Sequence, residues 1–376
     1  MSKFRPKTAL IKLGPLRATV LALCLFCPLS WATEYQLETL RNDLQHPWSV
    51  VQLPDHSFLV SERGGRVLHI PADGSSSRAL QGIPEPYVAG QGGLFDLALH
   101  PQFEHNRTVY LSYAKGNAKE NATAVIRGQL SASGLENVEQ ILVVKDPKDT
   151  PQHYAARLLF LPDTTLLVTT GDGFDYREQA QNLDSELGKV LRINDDGSVP
   201  SDNPFVDSAR PRIFSYGHRN AQGLALDADS GDIYLHEHGP KGGDELNLLQ
   251  AGANYGWPAV TYGVDYNGAY VSPFKSLPGM QAPLHYWVPS IAPSGMAWYK
   301  GHRFPQWQGD LFIGALVNKE VRQLKIKDGL VTAEQALFSE LKARIRDVYS
   351  APDGYLYLLT DSEQGALIRV RPAADK

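Results

Sequence analysis

The stretch ARLLFLPDTTLLVTTGDG, residues 156–173, carries the pattern that decides the fold. An apolar run ends in a Pro-Asp turn, a second apolar run follows, and a Gly-containing turn closes the unit. Short apolar runs bounded by turn residues are typical of β-strands joined by hairpins. The stretch therefore predicts a β-meander.

Five further copies of this pattern occur along the chain. They cover residues 47–70, 93–114, 222–239, 294–326 and 345–372. Their spacing of roughly 45–75 residues is compatible with propeller blades that carry loop insertions. Strands this short cannot cover both of their faces alone, so the copies must stack or close into a ring. Six copies predict an all-β, six-bladed β-propeller; a β-sandwich is the alternative, but it does not explain six similar units.

The segment EYQLETL, residues 34–40, predicts a lone N-terminal strand. The last copy of the pattern ends close to the end of the chain. Pairing of the lone strand with this copy would close the ring. We therefore expect one propeller domain over residues 33–376, with function in the loops at one end of a central channel, above all the inserts 174–220 and 237–293.

The first 32 residues predict an export signal. Five basic residues precede the apolar run ATVLALCLFCPLSWA (18–32), which has small residues at Ser30 and Ala32. This composition is typical of a cleaved signal peptide, and the run is shorter than the roughly 20 residues of a membrane span. Cleavage after Ala32 would remove both cysteines of the chain, Cys24 and Cys27. We expect a mature protein without disulfides, periplasmic or secreted.

The charge balance argues against two classes of partner. The whole chain carries a net charge of −5, and residues 1–32 contribute five basic and no acidic side chains, so the mature chain is at −10. Nucleic acids and anionic membrane surfaces bind basic protein faces. We therefore expect no nucleic-acid partner and no membrane insertion.

Two candidate catalytic residues flank the hairpin at 156–173. His153 stands just before its first strand and Asp172 just after its second strand. Hairpin pairing brings these two ends together, so a contact between them is geometrically natural. A histidine with a carboxylate partner makes a general base near neutral pH. The alternative is a surface histidine and an aspartate in an ordinary turn.

The loop HEHGPKGGDELN, residues 236–247, combines carboxylates with glycines and a proline. It lacks the Gly-Lys-Ser/Thr ending of a phosphate-binding loop and the spacing of an EF-hand. Calcium takes six to eight oxygen ligands and mixes carboxylates with backbone carbonyls, which Gly and Pro can turn inward. The loop is therefore either a calcium site or a plain solvated turn.

Several other polar residues stand at blade entrances. Arginines suit an anionic ligand, because they are always charged and bind carboxylates through two donors. Each residue alone is a weak signal, but all fall where a site at the channel mouth would lie. The set consists of Gln91, Arg219, Asn220, Arg344 and Arg346.

These segments together resemble the soluble pyrroloquinoline quinone (PQQ)-dependent aldose sugar dehydrogenases, the group related to soluble quinoprotein glucose dehydrogenase. The resemblance runs through HPWSVVQLPDHSFLVSERGGRV, GQGGLFDLALHP, TTGDG, FSYGHRNAQGLA, HEHGPKGGDELNLLQAGANYGWP, FPQWQGDLFIGAL and RIRDVYSAPDGYLYLLTD. It covers nearly the whole mature chain. The family fold is a six-bladed propeller, in agreement with the repeat count.

The resemblance implies a function. An aldose would be oxidised at its anomeric carbon to a lactone by hydride transfer to PQQ, and an external acceptor would take the electrons. His153 would be the base, Asp172 would orient it, and Arg219 would act in both catalysis and cofactor binding. The remaining cofactor contacts would be Gln91, Asn220, Arg344 and Arg346. Gly239 and Pro240 would bind a Ca²⁺ at the cofactor, and Glu245, Tyr255 and Asp265 a structural Ca²⁺.

Two departures from the family pattern concern the same site. Ala155 and Ala156 stand where the family has Gly, or Gly and Ser, and their methyl groups could narrow the cofactor space. Val317 stands where the family has a cofactor-binding lysine. Lys319 lies two residues on, hence on the same strand face, and we expect it to contact the cofactor in place of Val317. The departures motivate a second hypothesis, a non-catalytic propeller that binds a sugar or a partner.

A third hypothesis is a calcium-dependent propeller lactonase. It requires several carboxylate ligands around a central metal, and the sequence offers no such cluster. The physiological state would be a monomer or a homodimer.

Overall fold

The structure is a computed structural model, and it describes Met1 and residues 35–373. The predicted signal peptide at residues 1–32, and with it the start of the predicted domain, lies outside the described residues apart from Met1. Among residues 35–373, no helix has both the length and the apolar character needed to cross a membrane.

The described residues form 24 strands in six four-stranded antiparallel sheets, which are the predicted blades. Strand β1 spans Tyr35–Leu44. The first blade contains β2 (Pro47–Gln52), β3 (Phe58–Glu62), β4 (Arg66–Ile70) and β5 (Arg78–Ala79). The second contains β6 (Leu94–Leu99), β7 (Thr108–Gly116), β8 (Asn121–Leu130) and β9 (Leu135–Val143). The third contains β10 (Ala155–Phe160), β11 (Leu166–Thr170), β12 (Lys189–Ile193) and β13 (Ile213–Tyr216).

The other three blades follow the same plan. The fourth contains β14 (Ala221–Leu226), β15 (Ile233–Glu237), β16 (Asp244–Leu248) and β17 (His285–Trp287). The fifth contains β18 (Pro293–Trp298), β19 (Asp310–Ala315), β20 (Glu320–Lys327) and β21 (Leu330–Leu337). The sixth contains β22 (Ile345–Ser350), β23 (Leu356–Thr360), β24 (Gly365–Pro372) and the N-terminal β1. Helical turns in this part of the chain are short: α1 (Phe103–Asn106) and three 3-10 turns, Arg177–Gln181, Pro305–Trp307 and Ser339–Leu341.

The ring closes as the sequence predicted. Strand β1 pairs antiparallel with β24, in a register that places Tyr35 opposite Pro372 and Leu37 opposite Val370. The first strands of the blades, β2, β6, β10, β14, β18 and β22, each contact the first strands of both neighbouring blades. They therefore surround a central channel, and the six-bladed propeller is confirmed.

Blade stacking explains the unbroken apolar runs in the repeats. Strands β3, β11 and β23 are buried at every position. A strand inside a blade has a neighbouring blade on each face, so both sets of alternating side chains pack into apolar layers. One such layer joins blades one and two through Val51, Leu59, Leu97, Val109 and Leu111.

Polar contacts tie the first strands together across the channel. Nη1 of Arg157, on β10, lies 3.3 Å from Oδ1 of Asp96 on β6 and 3.1 Å from Oδ1 of Asp347 on β22. Gly295 gives room for this pair, because a Cβ atom there would lie 2.0 Å from Oδ1 of Asp347. The buried network therefore fixes three blades relative to one another.

Candidate active site

A cavity of about 290 Å³ lies at one end of the channel. Five of its lining residues are Gln91, Ala155, Asn220, Arg344 and Arg346. All of them stand within the first strands or a few residues before them, so the entrances of blades two, three, four and six converge here. The structure thus brings four of the predicted cofactor residues to one cavity. The aromatic part of the wall consists of Trp48, Phe95 and Tyr154.

His153 and Asp172 form a buried pair beside this cavity. His153 lies two residues before β10 and Asp172 two residues after β11, and these strands pair antiparallel. Nδ1 of His153 lies 2.7 Å from Oδ1 of Asp172, and the side chains are only 4% and 1% exposed. When Nδ1 donates its hydrogen to the carboxylate, the ring lone pair is on Nε2.

The environment keeps the His153 imidazole neutral. Burial lowers the pKa of His153 below its usual 6.5, because a buried site disfavours the charged ring. The hydrogen bond to Asp172 acts in the opposite direction, and the positive charges of Arg219 and Lys148 lower the pKa further. A neutral imidazole near pH 7 is the form that can accept a proton.

Two further residues hold Asp172, and the sequence analysis missed both. Nε1 of Trp257 donates to Oδ2 of Asp172 at 2.7 Å, and the backbone N–H of Phe174 donates to Oδ1 at 2.8 Å. Trp257 comes from an insert 85 residues further along the chain. The only sequence signal for Trp257 was its position at the end of HEHGPKGGDELNLLQAGANYGWP, one of the segments that resemble the family.

The backbone around His153 adopts an uncommon conformation. His153, Ala155 and Ala156 have φ angles of +49°, +56° and +73°, in the left-handed region that favours glycine. Each such residue costs on the order of 1–3 kcal/mol. Gln91 and Asn220 hold the segment, because their side-chain oxygens accept the N–H groups of His153 (2.8 Å) and Ala155 (3.1 Å).

The two alanines lie in different surroundings. Ala155 lines the cavity, whereas Ala156 packs in an apolar cluster with Trp48, Phe95 and Tyr154. The methyl group of Ala156 is therefore part of the core, and only that of Ala155 can narrow the cofactor space.

Arg219 lies between the His153–Asp172 pair and the connection that follows β15. Its Nη1 donates to the carbonyl oxygens of Gly239 at 2.7 Å and His238 at 3.2 Å, and its guanidinium lies 5.3 Å from the Trp257 ring centroid. The side chain is buried. A predicted cofactor residue, Arg219, and a predicted metal residue, Gly239, are therefore in direct contact.

The stretch predicted as a loop at 236–247 ends β15 and begins β16, and only residues 238–243 form the connection. This connection is held by the buried carboxylate of Asp244. Oδ1 of Asp244 accepts the N–H of Gly239 at 2.9 Å. Oδ2 accepts the hydroxyl of Ser290 at 2.6 Å and the N–H groups of Ile291 at 2.9 Å and Ala292 at 3.0 Å. With so many fixed backbone groups, the loop is not a freely solvated turn. Asp244 stood in the quoted loop, but sequence analysis gave it no role.

Arg344 and Arg346 share one carboxylate partner, Asp361. The distances from their Nη2 atoms to Oδ2 of Asp361 are 3.2 Å and 2.9 Å. Although burial opposes it, the charges of Arg346 and Arg344 lower the pKa of Asp361. Asp361 lines the cavity and was missed, although it follows β23 at the exit of the same hairpin that Arg344 enters, as Asp172 does for His153.

The segment at Val317 is not a strand, so the prediction that Lys319 lies on the same strand face as Val317 is wrong. Residues 316–319 form the turn between β19 and β20, where the two-residue alternation of strand faces does not apply. Val317 is 58% exposed and Lys319 is exposed, while Leu316 is the residue of this turn that lines the cavity.

Glu245 lies in a group of oxygen atoms on blade four. It stands directly opposite Glu237 in the β15–β16 pair. Burial raises the pKa of Glu245 well above its usual value, and the charge of Glu237 adds to this effect. Oδ1 of the nearby Asn247 is buried without a hydrogen-bond partner. Tyr255 stacks on His218, whose Nδ1 lies 2.9 Å from Oε1 of Glu237.

This oxygen-rich group suits a cation that is bound partly by carbonyls. Within residues 35–373, no three Asp, Glu, His or Cys side chains form a ready metal cluster. A cation here would therefore need amide and backbone oxygens, which calcium accepts. A positive ion would offset the repulsion between Glu237 and Glu245 and give the orphaned oxygen of Asn247 a partner.

A second cavity of about 300 Å³ adjoins the His153–Asp172 pair through Asp172. It is lined by Asp172 and Arg219 of the site, and by two predicted metal residues, Pro240 and Asp265. Oδ2 of Asp265 lies 3.5 Å from Nη1 of Arg177. Asp265 therefore faces this cavity with a cationic partner. The rest of the lining consists of Phe174, Asp175, Arg177, Trp257, Tyr266 and Val271.

Residues 44–369 match the family model described as "Glucose / Sorbosone dehydrogenase". The chain is 42% identical over 361 residues to the aldose sugar dehydrogenase YliI of Escherichia coli strain K12, covering 93% of this chain and 96% of the relative.

Two solved structures share the fold. The apo form of the soluble aldose sugar dehydrogenase of Escherichia coli superposes with a TM-score of 0.86 at 39% identity, covering 90% of this chain and 99% of the solved one. The PQQ-bound form of an aldose sugar dehydrogenase from Streptomyces coelicolor gives 0.73 at 27% identity, covering 90% and 98%.

Proposed function

The chain belongs to the glucose/sorbosone dehydrogenase family, and on this premise we propose that it is a PQQ- and Ca²⁺-dependent aldose dehydrogenase that forms lactones. The observation that carries the proposal is the buried pair of His153 and Asp172, 2.7 Å apart between two cavities at the channel mouth. A base is required because oxidation of an anomeric C–OH group to a lactone releases the hydroxyl proton.

His153 acts as the general base in this proposal. Its Nε2 accepts the proton of the anomeric hydroxyl while the anomeric carbon loses a hydride. Asp172 holds the ring through Nδ1 and stabilises the imidazolium that forms. Trp257 and the N–H of Phe174 keep Asp172 in place, so the pair is oriented before the substrate binds.

PQQ, when bound, supplies the quinone that takes up the hydride. The residues that would hold it are Gln91, Arg219, Asn220, Arg344 and Arg346, with Lys319 as a further contact. The donor set fits a tricarboxylate, because arginine binds carboxylates by paired, charge-assisted hydrogen bonds. Arg344 is 44% exposed and shares Asp361 with Arg346, so it can turn toward an anionic ligand.

Ca²⁺, when bound, supplies a Lewis acid beside the quinone and a structural cross-link in blade four. The carbonyls of Gly239 and Pro240 would hold the first ion. The Gly239 carbonyl accepts a hydrogen bond from Arg219 and has a second lone pair for the ion. The second ion would lie at Glu245 and the Tyr255 carbonyl, where the unpartnered oxygen of Asn247 supports it. Asp265 remains a weaker proposed ligand, because it faces Arg177.

The remaining parts of the proposal concern the setting of the reaction. We place the enzyme in the periplasm or outside the cell, on the strength of the export signal in the sequence. An external electron acceptor would reoxidise the cofactor, and the protein would act as a monomer or a homodimer.

A second candidate function is a non-catalytic propeller that binds a sugar or a partner through the same face. Val317 favours it, because this residue replaces a cationic cofactor contact of the family pattern. One measurement distinguishes the two functions. The purified protein is titrated with PQQ in the presence of Ca²⁺, and binding is followed by absorbance. Binding, together with lactone formation from an aldose, supports the dehydrogenase. Failure to bind PQQ supports the second candidate.

A further inference from the structure

Phe174 combines a left-handed backbone with a partly exposed ring beside His153 and Asp172. Its φ angle is +70°, although bulky residues rarely adopt the left-handed conformation. The ring is 37% exposed, so it does not serve the core. Strained backbone positions cluster at active sites and ligand clamps, so this position is a candidate contact for a ligand.

Phe174 is tied to the catalytic pair on two sides. Its backbone N–H donates to Oδ1 of Asp172, the same oxygen that accepts Nδ1 of His153. Its ring stands edge-on to the His153 ring, with centroids 5.1 Å apart and planes at 79°. A ligand against the Phe174 ring would therefore lie next to the base.

The ring of Tyr266 extends this aromatic surface. It lies nearly parallel to that of Phe174, with an angle of 27° and a centroid distance of 6.3 Å, and it is 58% exposed. Both rings line the second cavity, which also contains Asp175, Arg177 and Asp265. Aromatic faces with a few charged groups at the rim are the composition of a site for a small polar ligand with an apolar face.

We propose that Phe174 is the residue of this chain on which the sugar substrate stacks beside His153. The C–H face of a pyranose would pack on the Phe174 ring, and its hydroxyls would bond to the charged rim, so that the anomeric hydroxyl points to His153. The inference rests on the proposed function, because it assumes an aldose as the substrate.

The test compares Phe174→Leu with Phe174→Tyr in the PQQ- and Ca²⁺-loaded enzyme. Leucine keeps an apolar cover over His153 but removes the flat ring, whereas tyrosine keeps the ring. Phe174→Leu should raise KM for aldoses about tenfold, the scale of one lost aromatic contact. Its kcat should change less than twofold, and the acid limb of its pH profile should stay at the same pH. Phe174→Tyr should have the KM of the unaltered enzyme.

The matched control is Tyr270→Leu. Tyr270 is an aromatic residue of the neighbouring insert, 83% exposed, and it lines neither cavity at the catalytic pair. Its replacement should leave KM unchanged. An equal rise of KM in the control, or no rise in Phe174→Leu, would overturn the assignment. So would a weaker binding of PQQ by Phe174→Leu in place of the KM effect, because Phe174 would then contact the cofactor.

A binding measurement separates this inference from the proposed function. 1,5-Anhydroglucitol has a pyranose ring but no anomeric hydroxyl, so it binds without being oxidised. Calorimetry on the PQQ-loaded protein should give a dissociation constant about tenfold higher for Phe174→Leu than for the unaltered chain. If the unaltered chain oxidises no aldose but shows this difference, the proposed function fails and the assignment of Phe174 stands. If it oxidises aldoses without this difference, the assignment of Phe174 fails alone.

Discussion

Nδ1 of His153 lies 2.7 Å from Oδ1 of Asp172, and the two residues come from the entrance and the exit of one hairpin. The pair is buried, yet it lies between two cavities that open at the channel mouth. Burial makes the imidazole a neutral base, and the carboxylate fixes its tautomer. The function of the protein follows from this arrangement if a sugar hydroxyl reaches Nε2.

Asp172→Asn should reduce kcat strongly without weakening PQQ binding. An amide in place of the carboxylate no longer fixes the tautomer with the lone pair on Nε2, a change that costs about 10⁴-fold in a Ser-His-Asp triad. We expect a loss of about 10³–10⁴-fold here. The measurement is dye reduction at saturating aldose, with PQQ absorbance as the control. A loss of less than tenfold would argue against the orienting role.

The acid limb of the pH profile should report His153. The base must be neutral, and it is protonated below its pKa, which burial places below the usual 6.5. Activity expressed as kcat/KM should therefore fall only as the pH drops below 6.5. In Asp172→Asn the limb should move to lower pH, because the hydrogen bond to Asp172 raises the pKa of His153. A limb above pH 7 in the unaltered enzyme would contradict this account.

Calcium should stabilise the fold through Glu245. The pKa of Glu245 is raised in the folded protein, first by burial and then by Glu237, so without a cation stability is lost as the pH rises through this folded value. Calcium should offset that loss, by about 2.7 kcal/mol at 100 times its Kd. Thermal unfolding with Ca²⁺ or a chelator, from pH 4 to 8, measures the effect.

Glu245→Gln should remove both the loss at high pH and the response to calcium. The control Glu363→Gln changes an exposed carboxylate and should leave both in place. An unchanged calcium response in Glu245→Gln would place the structural ion elsewhere.

Arg157→Leu should destabilise the propeller by about 3–5 kcal/mol, since it leaves Asp96 and Asp347 buried without their cation. Denaturant unfolding gives this value. The control is Lys325→Met, which breaks a pair between Lys325 and Asp310 whose lysine is 53% exposed. It should cost no more than about 1 kcal/mol. If both variants lower the free energy of unfolding equally, the ion pairs of Arg157 contribute no more to stability than an exposed pair.

Val317→Lys should tighten PQQ binding. Val317 follows Leu316, a residue of the cavity wall, and a cation there would meet the carboxylates of the cofactor. One charge-assisted hydrogen bond is worth about 1.5–3 kcal/mol, so the dissociation constant should fall at least about tenfold. The matched variant Lys319→Met tests whether Lys319 already contacts the cofactor. Weaker PQQ binding by this variant would show that it does. No gain from Val317→Lys would mean that this turn does not reach the cofactor.

The fold could be predicted from the sequence because every blade repeats the same turn chemistry. What could not be predicted are the later strands of some blades. Strands β12 and β16 lie in the inserts 174–220 and 237–293, which sequence analysis treated as loops, and so do the outer strands β13 and β17. The outer strands are four and three residues long, too short for an alternation to be visible.

The site could be predicted where local pairing creates it and not where distant segments meet. The contact of His153 with Asp172 follows from one hairpin, whereas Trp257 reaches Asp172 from 85 residues away. Lys319 was placed on the strand face of Val317 because it lies two residues further on, but that segment is a turn. Tertiary contacts decide such cases, and a single sequence does not contain them.

One assay tests the central claim most directly. The purified chain and His153→Ala are each loaded with PQQ and Ca²⁺, cofactor binding is followed by absorbance, and dye reduction is measured with a panel of aldoses. The account predicts that the unaltered chain reduces the dye and forms a lactone, and that His153→Ala binds PQQ but is slower by about 10²–10⁴-fold. PQQ bound to the unaltered chain with no dye reduction by any aldose, or equal rates in the two proteins, would contradict it.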